Sequence, residues 1–181
     1  MPVSNMASTT EDIILVDPDD NQIGTIEKIL AHQYGMLHRA FSVFVFRKQT
    51  DKLECLLQQR SIKKYHAGGL WTNTCCSHPH SGETIFESAQ KRLQFEMGFQ
   101  VALKEVGTFH YIAQFDNGLT ENELDHVLVG YYDNNRIAVN PEEVDNFKWV
   151  DVDNLRQIPD EDVKTYTPWF QQALKIALES A

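Results

Sequence analysis

Apolar and polar residues recur along this chain with two different periods, and the changes between them lay out the predicted elements. Arg39–Arg47, reading RAFSVFVFR, is a Phe- and Val-rich run suited to a buried strand. Leu53–Gln59 returns as its hairpin partner across the turn Gln49-Thr50-Asp51-Lys52. In Thr84–Met97 the period is helical. Ile85, Ala89, Leu93 and Met97 fall on one stripe, Thr84 is placed to cap it, and Gly98 to stop it. Val106–Phe115 and Glu123–Tyr132 are predicted strands joined by the hairpin signal Asp116-Asn117-Gly118. Shorter pieces fill the rest. Ile13–Asp17 is a strand, Pro18–Asn21 a turn, and Gly24–Lys28 extended chain. Ile29–Tyr34 is one or two helical turns stopped at Gly35. Gly68-Gly69 loosens the backbone before Trp71, Phe147–Val150 is a last short strand, and Asp151–Arg156 a short helix. Thr167–Leu178 closes the chain as a helix with Pro168 in its first turn. Strands on both sides of a central helix predict an α+β fold, an α/β/α sandwich with a mixed central sheet flanked by helices. Residues 1–12 read as a flexible polar leader and 13–181 as a single domain.

Composition narrows the partners. A chain of 181 residues with 42% hydrophobic content can bury a proper core. A net charge of −10 argues against binding nucleic acid or a membrane surface, because both carry the same sign. No apolar run approaches the roughly 18 residues of a membrane span, and the N-terminus has no signal-peptide pattern. Of the three cysteines, Cys75 and Cys76 are adjacent, which suits a reducing, cytoplasmic compartment better than a disulfide framework.

Candidate chemistry gathers around Trp71–Glu83. His32, His38 and His78, with Glu121 and Glu123 two apart on one strand face, suit a borderline divalent ion such as Zn²⁺ or Mn²⁺. The same residues also read as surface or capping groups. Lys28, Arg60, Lys63, Lys64, Lys91 and Arg92 are cations in an acidic chain. Their dense stretch Arg60–Lys64 either grips a phosphate or is a solvated hairpin end. Cys76, with Glu123, offers an acid/base pair, a ligand or simply a buried thiol. Because Cys75 and Cys76 are neighbours in extended chain, one faces in and the other away. Trp71, Trp169 and Tyr111 read as core by composition, although a Trp face can also stabilise a cation.

Together these residues resemble the type 1 isopentenyl-diphosphate isomerases, a branch of the Nudix superfamily. The resemblance runs through Gly24–Lys28, His32…His38-Arg39-Ala40-Phe41-Ser42, Gln59-Arg60-Ser61, Lys64 and Trp71-Thr72-Asn73…Cys76-Ser77-His78-Pro79. It continues in Gly82-Glu83…Lys91-Arg92…Glu96-Met97-Gly98, Glu121-Asn122-Glu123 and Thr167-Pro168-Trp169. It implies a Nudix-like fold that protonates the terminal methylene of isopentenyl diphosphate, passes through a tertiary carbocation and loses a proton to give dimethylallyl diphosphate. Cys76 would work one face of the alkene; Glu123, with Tyr111 nearby, the other; and the Trp169 ring would stabilise the cation. His32, His38, His78, Glu121 and Glu123 would hold one Mn²⁺ or Zn²⁺. Glu96 would help hold a Mg²⁺ that bridges the diphosphate. Lys28, Arg60, Lys64 and Arg92 would contact the diphosphate. The implied protein is a cytoplasmic monomer or weak dimer in isoprenoid biosynthesis. Ser77 stands where the family usually has glycine, and Cys75 where a non-thiol is more usual.

Two other functions fit the superfamily. A Nudix diphosphohydrolase needs a Glu-rich helix, but here Arg92 and Phe95 occupy two acidic positions and Glu96 remains. A non-catalytic Nudix-like binding module fits that loss, yet has no use for the His, Glu and Cys set.

Overall fold

The computed structural model describes residues 11–181. The leader expected over residues 1–12 lies outside the described residues as far as residue 10, and Asp12 already opens the first strand. The elements run β1 (Asp12–Val16), β2 (Gln22–Glu27), α1 (Lys28–Tyr34), β3 (His38–Lys48), β4 (Leu53–Arg60), β5 (Trp71–Thr72), β6 (Cys75–Ser77) and α2 (Ile85–Met97). They continue with β7 (Leu103–Gln114), β8 (Thr120–Tyr131), β9 (Val144–Asp151), α3 (Val152–Leu155), α4 (Asp160–Val163) and α5 (Phe170–Glu179).

Strand β3 organises the sheet. It pairs antiparallel with β1, β4 and β6 and parallel with β8 along its length, so the sheet is mixed as expected. β7 then pairs with β8, and β9 with β4. Alternation along β3 divides the core. Phe44 and Phe46 pack with Phe170, Ala173 and Ala177 of α5, whereas Phe41, Val43 and Val45 pack with Ala89, Leu93 and Met97 of α2. The result is a sheet covered by a helix on each face.

Helix α2 forms where its stripe predicts. Thr84 caps it and shares a capping box with Glu87, an arrangement that contributes about 1 kcal/mol. Gly98 ends it in the left-handed conformation at φ 77°. The β7–β8 turn likewise places Gly118 at φ 82°.

Several boundaries differ from expectation. Trp71–Thr72 and Cys75–Ser77, assigned to no element above, are short strands, because β4 and β3 supply partners distant in sequence. Glu121 lies inside β8, which starts at Thr120. Lys28 belongs to α1, and α4 is an additional turn of helix. Pro168 precedes α5 instead of lying in its first turn, since Trp169 is the capping residue.

Candidate active site

The sheet face beneath α5 changes character along its strands. Toward the middle it carries Phe44, Phe46, Val127 and Val129; toward the start of β3 and β8 it carries His38, Ser42, Glu121, Glu123 and Asp125, all buried. His38 and Glu123 are register partners across the parallel pair. α1 brings His32 and β6 leads to His78. The ligand atoms of His32, His38, His78 and Glu123 then lie within 4.8 Å of one another.

The donor set fits a divalent metal. His32 Nδ1 bonds the Lys28 carbonyl at 2.7 Å and His38 Nδ1 the Met36 carbonyl at 2.8 Å, which turns both Nε2 atoms inward. His32 Nε2 is buried with no partner in the protein. His38 and His78 reach Glu123 Oε1 at 3.3 and 3.0 Å. Burial alone would raise the Glu123 carboxyl, but these two imidazoles outweigh it and hold the group well below the usual carboxylate range. Burial depresses His78 to about 4, so it stays neutral and ready to donate a lone pair.

Glu121 does not join the four. Its Oε1 contacts His66 Nε2, whose ring burial keeps neutral, and it also faces Tyr111. Burial and the charge of Glu123 push its carboxyl well up, so the two glutamates of β8 are driven apart in acidity. Tyr111 is the cross-strand partner of Glu123 and meets Trp169 edge-on at 6.0 Å between ring centroids.

Cys75 and Cys76 face opposite ways, as their adjacency predicts. Cys75 is fully buried against α2, and Cys76 packs on the α5 side and opens into the central cavity. Burial, then the charge of Asp125, pushes the Cys76 thiol up to about 12, so it holds its proton at neutral pH. Ser77, in place of glycine, has no positive φ and is accommodated without strain.

Lys28, Arg60, Lys64 and Arg92 line the same cavity as Cys76, His78, Glu121, Glu123 and Trp169. Most of these cations are already paired. Lys28 meets Glu11 at 2.6 Å, Lys64 contacts Glu143, and Arg92 meets Glu96 at 2.5 Å and Glu143 at 2.9 Å. Arg60 lies over the Trp169 ring at 5.4 Å. Glu96 sits beneath Arg92, where it also accepts from Gln58 at 3.1 Å, and is not part of the cavity wall. The cavity is about 40 Å³, too small for a diphosphate ester until side chains at its mouth part. An adjoining hollow of about 260 Å³ shares Glu11, Phe41, Ser77, His78 and Arg92 with it.

The NUDIX domain model matches residues 36–172. The isopentenyl-diphosphate Delta-isomerase of Serratia proteamaculans (strain 568) is 45% identical, across 91% of this chain and 90% of its own. Isopentenyl-diphosphate Delta-isomerase 2 of Photorhabdus laumondii is 46% identical over the same shares. The chain belongs to the isopentenyl-diphosphate Delta-isomerase family of Nudix proteins. A Deinococcus radiodurans crystal structure shares the fold at TM-score 0.73 and 15% identity, covering 92% of this chain and 99% of its own.

For a member of this isomerase family, the cavity also contains residues that sequence reasoning missed. Tyr65, His66 and Asp125 line it, and Ser42 donates to Asp125 Oδ2 at 2.8 Å. Tyr65 and His66 directly follow the Arg60–Lys64 stretch, and Asp125 continues the alternation of Glu121 and Glu123. That spacing is the one signal that could have found Asp125.

Proposed function

We propose that this chain isomerises isopentenyl diphosphate to dimethylallyl diphosphate. The observation that carries this reading is one cavity lined together by the Cys76 thiol, the Glu123 carboxylate, the Trp169 indole and four cations. An allylic isomerisation needs one proton given at the terminal methylene and another taken from the neighbouring carbon. Cys76 and Glu123 start with a single proton between them; one turnover leaves that proton on the terminal carbon of the product, a second proton from the neighbouring carbon goes to the carboxylate, and exchange with solvent restores the starting pair. Tyr111 flanks the Glu123 side. Trp169 presents π density to the developing tertiary cation, and the buried walls exclude water that would trap it.

Lys28, Arg60, Lys64 and Arg92 hold the diphosphate, with Lys28, Lys64 and Arg92 exchanging their internal carboxylate partners for phosphate oxygens. Glu96, once released from Arg92, would help hold a Mg²⁺ that offsets the diphosphate charge. His32, His38, His78 and Glu123 would hold a Mn²⁺ or Zn²⁺, with Glu121 a candidate fifth ligand. A divalent ion bound there supplies a fixed positive charge that favours the ionised form of Glu123. The working protein is a cytoplasmic monomer or weak dimer acting on a small molecule, with neither nucleic acid nor membrane as partner; its charge of −10 supports the last point.

The test is incubation of the purified protein with isopentenyl diphosphate and Mg²⁺, with acid-labile allylic product and free phosphate followed separately. Allylic product without phosphate is expected. Phosphate without isomer would make it a hydrolase, and neither product from a folded, metal-loaded sample would make it a binding module.

A further inference from the structure

The proposed reaction uses Cys76 and Trp169 but gives no task to Asn73 between them in the fold. Asn73 is fully buried in the bend that joins β5 to β6. Its amide nitrogen donates to the backbone carbonyls of Val43, at 3.0 Å, and Cys75, at 2.9 Å. Val43 and Cys75 are themselves register partners across β3 and β6. Flipping the amide would leave both buried carbonyls facing an acceptor, so this network fixes which end is oxygen.

That oxygen, Oδ1, faces the cavity side. The Cys76 thiol lies 3.1 Å from it, the Trp169 indole Nε1 3.3 Å, and the Thr72 hydroxyl 2.9 Å. An amide oxygen only accepts, so the S–H and the N–H must both donate to it. We propose that Asn73 is a positioning residue which holds the acid/base thiol and the cation-stabilising ring on one shared carbonyl oxygen.

The arrangement has two chemical consequences. It aims the Cys76 proton along a defined direction while the substrate is absent, so the thiol meets the alkene from one orientation. It also draws on the indole N–H, which leaves the Trp169 ring richer in electron density where a cation develops. Asn73 and Trp169 are 96 residues apart in sequence, and this bond closes that separation at the reacting centre. An amide oxygen has two lone pairs and here meets three donors, so the bonds compete, and removing one strengthens the others.

The inference deepens the isomerase reading and rests on it for its catalytic meaning, while the hydrogen bonds can be tested without turnover. Asn73→Ala should lower kcat by about 10²-fold, the scale of a misplaced reacting group, and leave KM for isopentenyl diphosphate within about threefold, because the cations that grip the diphosphate are untouched. In the same variant, without substrate, the Cys76 S–H infrared band and the Trp169 indole nitrogen–proton resonance should both shift. Cys76→Ser and Trp169→Phe assign the two signals. A fall in kcat with both signals unmoved would overturn the proposal, since a general loss of packing explains it.

If Asn73→Ala does not fold, Trp169→Phe removes the indole N–H donor and leaves a smaller aromatic ring in its place, so it is read in the resting protein rather than by turnover. The Cys76 S–H band should then move to lower frequency as its bond to Oδ1 tightens, and an unmoved band overturns the shared oxygen. Isomerase inactivity of the unsubstituted chain, with the signals coupled as described, would sink the isomerase reading and leave the hydrogen-bond assignment intact.

Discussion

One face of the sheet carries two regions that are equally buried and chemically opposite. Under α5, Phe44 and Val127 are fully buried against Phe170. A few residues earlier on the same two strands, His38, Glu123 and Asp125 are also almost wholly buried. The first region gains stability from burial, about 1.5–3 kcal/mol for each large apolar side chain. The second loses it, because carboxylates and imidazoles leave water and several atoms, among them His32 Nε2, Glu121 Oε2 and Asp125 Oδ1, find no partner within the protein. Depth in the fold therefore does not separate scaffold from site here; what distinguishes them is whether the buried atoms are satisfied. The apolar half carries the cost of holding the polar half in place.

The sharpest way to break the contrast is within β6. Cys76→Ala should abolish turnover, a loss of at least the roughly 10²–10⁴-fold expected for a missing acid/base group, while Cys75→Ala keeps most of it. Steady-state assays on both variants check this, and reversed outcomes would move the role to Cys75. Glu123→Gln should abolish turnover even where metal analysis shows the ion still bound; near-normal activity would remove Glu123 from the reaction. Chelation should remove activity, with Mg²⁺ together with Zn²⁺ or Mn²⁺ restoring it. It should also lower Tm, since an ion that binds only the folded chain stabilises it. Unchanged activity of verified metal-free protein would refute the metal centre.

On the apolar side, Phe44→Ala should cost about 3–5 kcal/mol in urea denaturation while turnover per folded molecule stays near normal. A selective loss of turnover would show that the two regions are not separable. The mildest test is alkylation of Cys76. Its thiol is pushed up to about 12, and the thiolate is the reactive form, so alkylation should be slow at neutral pH and quicken steadily as pH rises beyond 9. A rate that levels off near neutrality would mean the thiol is already ionised.

Local signals were readable in the sequence and long-range ones were not. Helix α2 carries its own start, stripe and stop in Thr84, Leu93 and Gly98, so its boundaries needed no tertiary knowledge. β6 is three residues long and exists because Phe41–Val43 pairs with it, which no local pattern announces. Periodicity gave Glu121 and Glu123 the same face, but only the neighbours decide that one turns to the imidazoles and the other to His66 and Tyr111. His66 and Tyr65 escaped notice because aromatic residues after a basic stretch read as ordinary loop. The four cavity cations were picked out of sixteen lysines and arginines by the family resemblance, whereas their internal partners Glu11 and Glu143 were lost among many carboxylates.

The parallel pairing of β3 with β8 also sets when this protein can become functional. His38 and Glu123 stand 85 residues apart in sequence, and they meet only when those two strands align. Pairings of such long range close late, after the hairpins and α2, and make folding slow for the chain's size. At a synthesis rate of roughly 5–20 residues per second, a ribosome has made the three imidazoles seconds before β8 emerges. During that interval the nascent chain holds His32, His38 and His78 without the carboxylate that completes their set. A divalent ion that needs all four ligand atoms would find its site complete only once β8 has paired with β3.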